Sequence, residues 1–278
     1  MKIHYLGTAA AERVPGIFCN CRICRYAREH GGKDLRTQTQ TLIDDGELLI
    51  DFPGDSYFHL REHQLNFNEI EHLLITHWHS DHLYVEDLAF RMSSYANDLD
   101  KKLTVYGNAT VHRFFDRAFE LEKMIEPERI EFQELAPFEK YQIGEYQVHT
   151  LPAVHGQKNG DCFIYVIERD GKRLFYTHDT GFPTDEVLDY LEENQLKLDA
   201  ISLDCTGQNM TYVGGIHMNL GENLRLIQSL SERGLCDEKT TYVLSHFSHN
   251  GGLTHQEMKE LADEHQILTA YDGMLIEI

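Results

Sequence analysis

The sequence predicts an α/β protein, on three observations. Apolar runs rich in β-branched and aromatic residues end repeatedly in histidine or aspartate; stretches with helical spacing separate them; and 278 residues with 41% hydrophobic content can build one large core. Residues 2–7 and 39–51 read as short strands, the second interrupted by a hairpin turn at Asp44-Asp45-Gly46. The segment from Asn66 leads into Leu73-Leu74-Ile75, a buried strand that ends at His77. Residues 83–99 carry Leu88, Met92 and Tyr95 at helical spacing, and residues 109–123 carry Val111, Phe114, Phe115, Ala118 and Leu121. Pro127 and Pro137 bracket a strand over 130–135, and helices are expected over 184–194, 219–233 and 254–264. No repeat, low-complexity tract or long linker interrupts the chain, so residues 1–278 read as a single domain.

The most informative segment is Thr76-His77-Trp78-His79-Ser80-Asp81-His82-Leu83. Side chains two apart on an extended segment point the same way, so His77 and His79 can share one metal. Past the turn at Ser80, Asp81 and His82 face a second position. Imidazoles and carboxylates are ligands that zinc, manganese and iron accept. One histidine here would be an ordinary polar surface residue; four ligand-type residues within six positions are not. Three further strand-like runs end alike: 146–155 on His155, 173–179 on His178-Asp179, and 241–246 on His246. Open sheets present ligands at the carboxyl ends of their strands in this way. His178 neighbours Asp179 and is expected on the opposite face, outside the ligand set.

His77-x-His79-x-Asp81-His82, followed by His155, Asp179 and His246, resembles the metallo-β-lactamase-fold hydrolases. The resemblance implies a four-layer αββα sandwich. It also implies one metal on His77, His79 and His155, a second on Asp81, His82 and His246, and Asp179 bridging the two. Asp51, which closes Leu48-Leu49-Ile50-Asp51, matches the early aspartate of the family and would orient a ligand by hydrogen bonding. Cys19-Asn20-Cys21-Arg22-Ile23-Cys24 adds three thiols in six residues. Buried apolar thiols are one reading and a disulfide another, though no secretory leader is visible and a cytosolic location is expected. A tetrahedral structural zinc site completed by His249 is the third and preferred reading. Cys162, Cys205 and Cys236 read as core thiols.

The cysteine cluster together with Ser245-His246-Phe247-Ser248-His249 is similar to one branch of that family, the cyclic phosphodiesterases of carbon–phosphorus lyase phosphonate breakdown. Leu6-Gly7-Thr8 and Tyr271-Asp272-Gly273-Met274 extend the likeness to both ends of the chain. The resemblance implies hydrolysis of a small phosphodiester, notably a ribosyl cyclic phosphate, by a hydroxide held between two divalent ions (zinc or manganese, or else iron). Asp81 and His217 are the expected catalytic residues, His217 as proton donor to the leaving alkoxide or as a clamp on the phosphate. Enzymes with the same cysteine clip also serve cofactor biosynthesis. An acyl hydrolase such as a lactonase, or a non-hydrolytic accessory protein on the same fold, are the alternatives.

Charge narrows the partners. Lys and Arg number 25 against 46 Asp and Glu, a formal net charge of −21, and three dications would offset only about six of those charges. A long nucleic acid would meet net repulsion, so none is expected as partner. No run of roughly 18 apolar residues provides a membrane span. The substrate is expected to be a small phosphodiester and the protein a homodimer by analogy with the branch.

Overall fold

The computed structural model describes residues 1–156 and 160–278. Two seven-stranded sheets carry the chain. The first has the order β14-β1-β2-β3-β4-β5-β6, with β1 at Lys2–Gly7, β2 at Gln40–Ile43, β3 at Leu48–Ile50, β4 at His72–Leu74, β5 at Leu103–Gly107, β6 at Ile130–Glu134 and β14 at Met274–Glu277. The second has the order β13-β12-β11-β10-β9-β8-β7, with β7 at Lys140–Ile143, β8 at Tyr146–Pro152, β9 at Phe163–Arg169, β10 at Lys172–Thr177, β11 at Ala200–Asp204, β12 at Thr241–Ser245 and β13 at Leu268–Thr269. β3 to β6 run parallel, as do β10 to β13.

Alternation places one face of each sheet against the other. Ile3, Tyr5, Ile50 and Leu74 of the first sheet meet Val148, Tyr165, Tyr176 and Val243 of the second in a shared core. Buried phenols need partners, and they find them across this interface. Tyr5 Oη lies 2.8 Å from Ser202 Oγ, and Tyr165 Oη donates to the Ile75 carbonyl at 2.6 Å. The outer face of the first sheet is covered by α3 (Ala109–Glu122) through Val111, Phe115 and Phe119. The outer face of the second is covered by α4 (Asp185–Glu193), α5 (Leu220–Glu232) and α6 (His255–Asp263). The result is the expected four-layer αββα sandwich. No helix among the described residues is long and apolar enough to cross a membrane.

Helix starts are set by side-chain caps. Asn108 accepts from the N–H groups of Thr110 and Val111 ahead of α3. Asn219 with Glu222, and Thr254 with Glu257, form reciprocal capping boxes on α5 and α6. Two short helices, α1 (Arg22–His30) and α2 (Ser56–Glu62), were not anticipated from the sequence. The helix expected over 83–99 is replaced by a 3-10 segment at Val85–Arg91 followed by irregular chain. The reason is competition for its backbone. Arg129 donates to the carbonyls of Arg91 and Ala96, and the Ser93 N–H is held by Glu126, so the groups an α-helix would pair internally are used elsewhere.

Asn219 starts α5 two residues after His217, so its cap also fixes the chain at the site described below. Asn219→Ala is expected to cost about 1 kcal/mol of stability and Asn219→Asp a smaller amount, read as the shift in urea midpoint at constant slope.

Candidate metal centre

The carboxyl ends of the parallel strands share one edge of the sandwich, and the titratable residues singled out from the sequence converge there. His77, His79, His155 and Asp179 bring ligand atoms within 4.8 Å of one another, and Asp81, His82, Asp179 and His246 do the same beside them. His77 Nε2 lies 2.8 Å from His79 Nδ1, and His155 Nε2 lies 3.2 Å from the same nitrogen. Asp179 belongs to both groups. Its Oδ2 is 3.1 Å from His77 Nε2 and 3.2 Å from His82 Nε2. His178 turns away, its Nε2 on Ser202 Oγ at 2.7 Å.

Three of the rings are aimed by a bond to the far nitrogen. His82 Nδ1 donates to Asp51 Oδ2 at 2.7 Å, and Asp51 is itself held by the N–H and hydroxyl of Thr76. His155 Nδ1 donates to the Ile216 carbonyl at 3.2 Å. His246 Nδ1 pairs with Thr206 Oγ1 at 2.7 Å. These bonds leave the Nε2 atoms facing the common space. Asp51, Asp179 and His246 all follow directly or closely on a strand and have positive φ of 64°, 57° and 59°. Left-handed backbone at non-glycine residues is uncommon, and here it turns three strand ends toward the same point.

Asp204, the last residue of β11, is a participant that the sequence reading passed over. It is fully buried and accepts from the N–H groups of Asp179, Thr206 and Met218, with His217 Nδ1 and His246 Nδ1 each 3.4 Å away. It ends an apolar strand just as Asp51 does, which was the available signal. Through Asp204 and Asp179, 3.0 Å from His217 Nδ1, the loop bearing His217 is tied to the site. Gly181 allows this approach: a Cβ there would stand 2.0 Å from the Gly215 carbonyl oxygen.

The electrostatics describe a crowd of groups that a cation would satisfy. Burial pushes His77 down to about 3 and also lowers His155. Burial opposes the charged form of His82 too, but Asp51 and Asp81 raise it well above the ordinary histidine range. Burial likewise opposes the ionised carboxylates, yet His82 holds Asp81, and His246 holds Asp179, below the usual range. Burial lowers His217, and the Asp179 and Asp204 carboxylates beside its Nδ1 override it to give about 10. His82 Nε2, His246 Nε2 and Asp179 Oδ1 are buried without a hydrogen bond. Orphaned imidazole and carboxylate atoms facing one space are the donor set that divalent zinc, manganese or iron takes. The residues fit a pair of dications.

A second group lies at the rim. Cys19, Cys21, Cys24 and His249 bring their ligand atoms together within 4.8 Å. The sulfurs of Cys19 and Cys21 are each 3.7 Å from His249 Nδ1. With metal–sulfur and metal–nitrogen bonds of about 2.3 and 2.0 Å, a tetrahedron has an S···N edge of about 3.5 Å. Cys24 accepts from the Gly16 N–H at 3.2 Å, and Cys21 caps α1 by accepting from the Cys24 N–H. Burial raises the Cys24 thiol to about 12, while in Cys21 the same burial is outweighed by the Cys24 N–H and the two neighbouring thiols, which lower it. No disulfide joins the described cysteines.

The first group opens into a cleft of about 810 Å³, lined by Asp179, His217 and His246 together with Glu12, Trp78, Tyr84 and Phe114. Among the described residues, no lysine or arginine lines it.

Comparison with known proteins places this architecture. The family model for the β-lactamase superfamily domain matches residues 48–247. A diphosphatase of the PhnP family superposes with a TM-score of 0.77 at 20% identity, covering 100% of this chain and 97% of that one. Zn²⁺-bound PqqB from Methylobacterium extorquens gives 0.77 at 18% identity with 100% of both chains covered. Human tRNase Z, short form, gives 0.71 at 17% identity, over 100% and 99%. At such identities the likeness is one of fold. A Porphyromonas gingivalis (strain ATCC BAA-308 / W83) protein named octanoyltransferase is 26% identical over 99% of this chain. The match covers 51% of that protein, so the chain spans about half the length of this curated relative. The chain belongs to the β-lactamase superfamily and has the metallo-β-lactamase fold.

Proposed function

We propose that the chain hydrolyses a small phosphodiester, with a ribosyl cyclic phosphate as the reference substrate, using two divalent ions. The observation that carries the reading is the Asp179 carboxylate standing between two groups of buried imidazoles and carboxylate, with His217 beside it in the lining of the cleft. His77, His79 and His155 would hold one ion, Asp81, His82 and His246 the other, and Asp179 both. Bound there, the ions supply a nucleophile at neutral pH and neutralise charge on the reacting phosphate.

The chain's own residues do the rest. Asp51 and Asp204 keep the rings of His82 and His246 oriented. His217 is held by Asp179 and Asp204 through Nδ1, is 21% exposed, and lines the cleft. That geometry lets it donate a proton to the departing alkoxide. The cleft volume suits a small molecule. Cys19, Cys21, Cys24 and His249 would hold a structural zinc with no open position, joining the amino-terminal loop to the segment that carries His246. The apolar cleft walls, and the likeness to a protein named octanoyltransferase, favour a second reading in which the same groups open an acyl ester or lactone.

Bis(4-nitrophenyl) phosphate should turn over with added manganese or zinc and stop on chelation. Asp81→Ala should cost orders of magnitude, whereas His217→Ala should keep its metal and lose about 10²–10⁴-fold in turnover. Metal-replete protein that opens lactones and leaves the diester intact would replace the first reading by the second.

Cys21→Ser should lower zinc content by about one equivalent and lower the melting temperature. Unchanged zinc in a folded variant would show that the thiols hold no metal.

A further inference from the structure

We propose that the group esterified to the reacting phosphate carries an N-alkylated ammonium, a choline-type cation, held by the wall of the cleft. The inference rests on the phosphodiester reading and sets an ammonium-bearing diester in place of the ribosyl cyclic phosphate as its substrate class. Trp78, Tyr84 and Phe114 line the cleft together, with Trp78 and Phe114 stacked at 5.3 Å between ring centroids and 18° between planes. Tyr84 and Phe114 remain 41% and 36% exposed. Aromatic faces open to a small-molecule cleft attract either apolar groups or cations.

Charge decides between these. Beside the aromatic residues stand two carboxylates outside the proposed ligand set, Glu12 and Glu86. Glu12 is bonded by the Ser248 hydroxyl and the Asn250 amide. Glu86 is exposed and has no described lysine or arginine at ion-pair distance. Away from the metal site, further phosphates or a carboxylate on the substrate would meet Glu12 and Glu86 with no lysine or arginine among the described lining to offset them. An uncharged group would leave Glu86 without use. An alkylated ammonium gains from both the ring faces and the carboxylate, and it cannot demand hydrogen bonds that the apolar wall does not offer. It also neutralises the diester to which it is attached, so the substrate approaches an acidic protein without net charge. A soluble choline diester and a lipid headgroup share this chemistry.

Trp78 is the chain's one tryptophan, so its fluorescence reports on the cleft independently of turnover. The metal-loaded protein is titrated with phosphocholine and with 3,3-dimethylbutyl phosphate, which replaces the ammonium by carbon at constant shape and identical phosphate. Phosphocholine should quench with about tenfold lower Kd, a gap that Glu86→Gln and Phe114→Leu should each narrow to about threefold or less. Equal or tighter binding of the carbon analogue, no quenching by either ligand, or an unchanged gap in Glu86→Gln would overturn the inference. Turnover of 4-nitrophenyl phosphocholine and of phosphatidylcholine vesicles is read separately. The first without the second assigns a soluble diester, and the reverse a headgroup; both fall within the proposed class. If no diester is cleaved, the phosphodiester reading fails, and the fluorescence comparison still decides whether the wall selects an ammonium.

Discussion

Four aspartates, Asp51, Asp81, Asp179 and Asp204, are buried at one edge of the sandwich, and everything around them follows from the need to neutralise them. An ionised carboxylate out of water is costly unless it is paired and hydrogen-bonded. Asp51 and Asp204 meet that demand locally, through Thr76 and His82 in one case and three backbone N–H groups in the other. Asp179 does not. One of its oxygens is buried without a hydrogen bond, among imidazole nitrogens that lack one too. A pair of divalent ions held by these groups would settle the site.

The fold supplies the precision that such a pair requires. Rigid strands of two sheets stop at the same edge, and left-handed residues at Asp51, Asp179 and His246 swing the chain inward where it leaves them. The sheets are locked to one another near this point. The Phe163 N–H donates to the Thr76 carbonyl at 2.9 Å, directly ahead of His77, and the Phe247 N–H donates to Thr8 directly after His246. Arg36, buried beneath Phe247, fastens Thr8 and the Ala270 carbonyl. A displacement of either sheet would therefore move ligands of both groups.

Much of the site was legible in the sequence because its residues obey local rules. His77 and His79 share a face by spacing, and His155, Asp179 and His246 each terminate a recognisable strand. Asp204 obeyed the same rule and was passed over, because its role becomes visible only when the His217 loop folds back onto it. Glu12 and Glu86 carried no local signal at all; they reach the cleft through tertiary packing. The 83–99 segment misled for the opposite reason. Its apolar residues have helical spacing, yet Arg129 and Glu126, far along the chain, take over its backbone groups. α1 escaped notice because its buried face is only Ile23, Cys24 and Ala27, and its cap is a thiol.

The claim that the buried carboxylates exist to hold metal is tested most directly by counting metal in Asp179→Asn, which keeps the shape of the bridging side chain and removes its charge. Wild-type protein should hold about three equivalents and the folded variant about one, the remaining ion being that on the cysteine group. A folded Asp179→Asn that retains the full wild-type content, or wild-type protein whose only metal is lost with Cys21→Ser, would contradict the account.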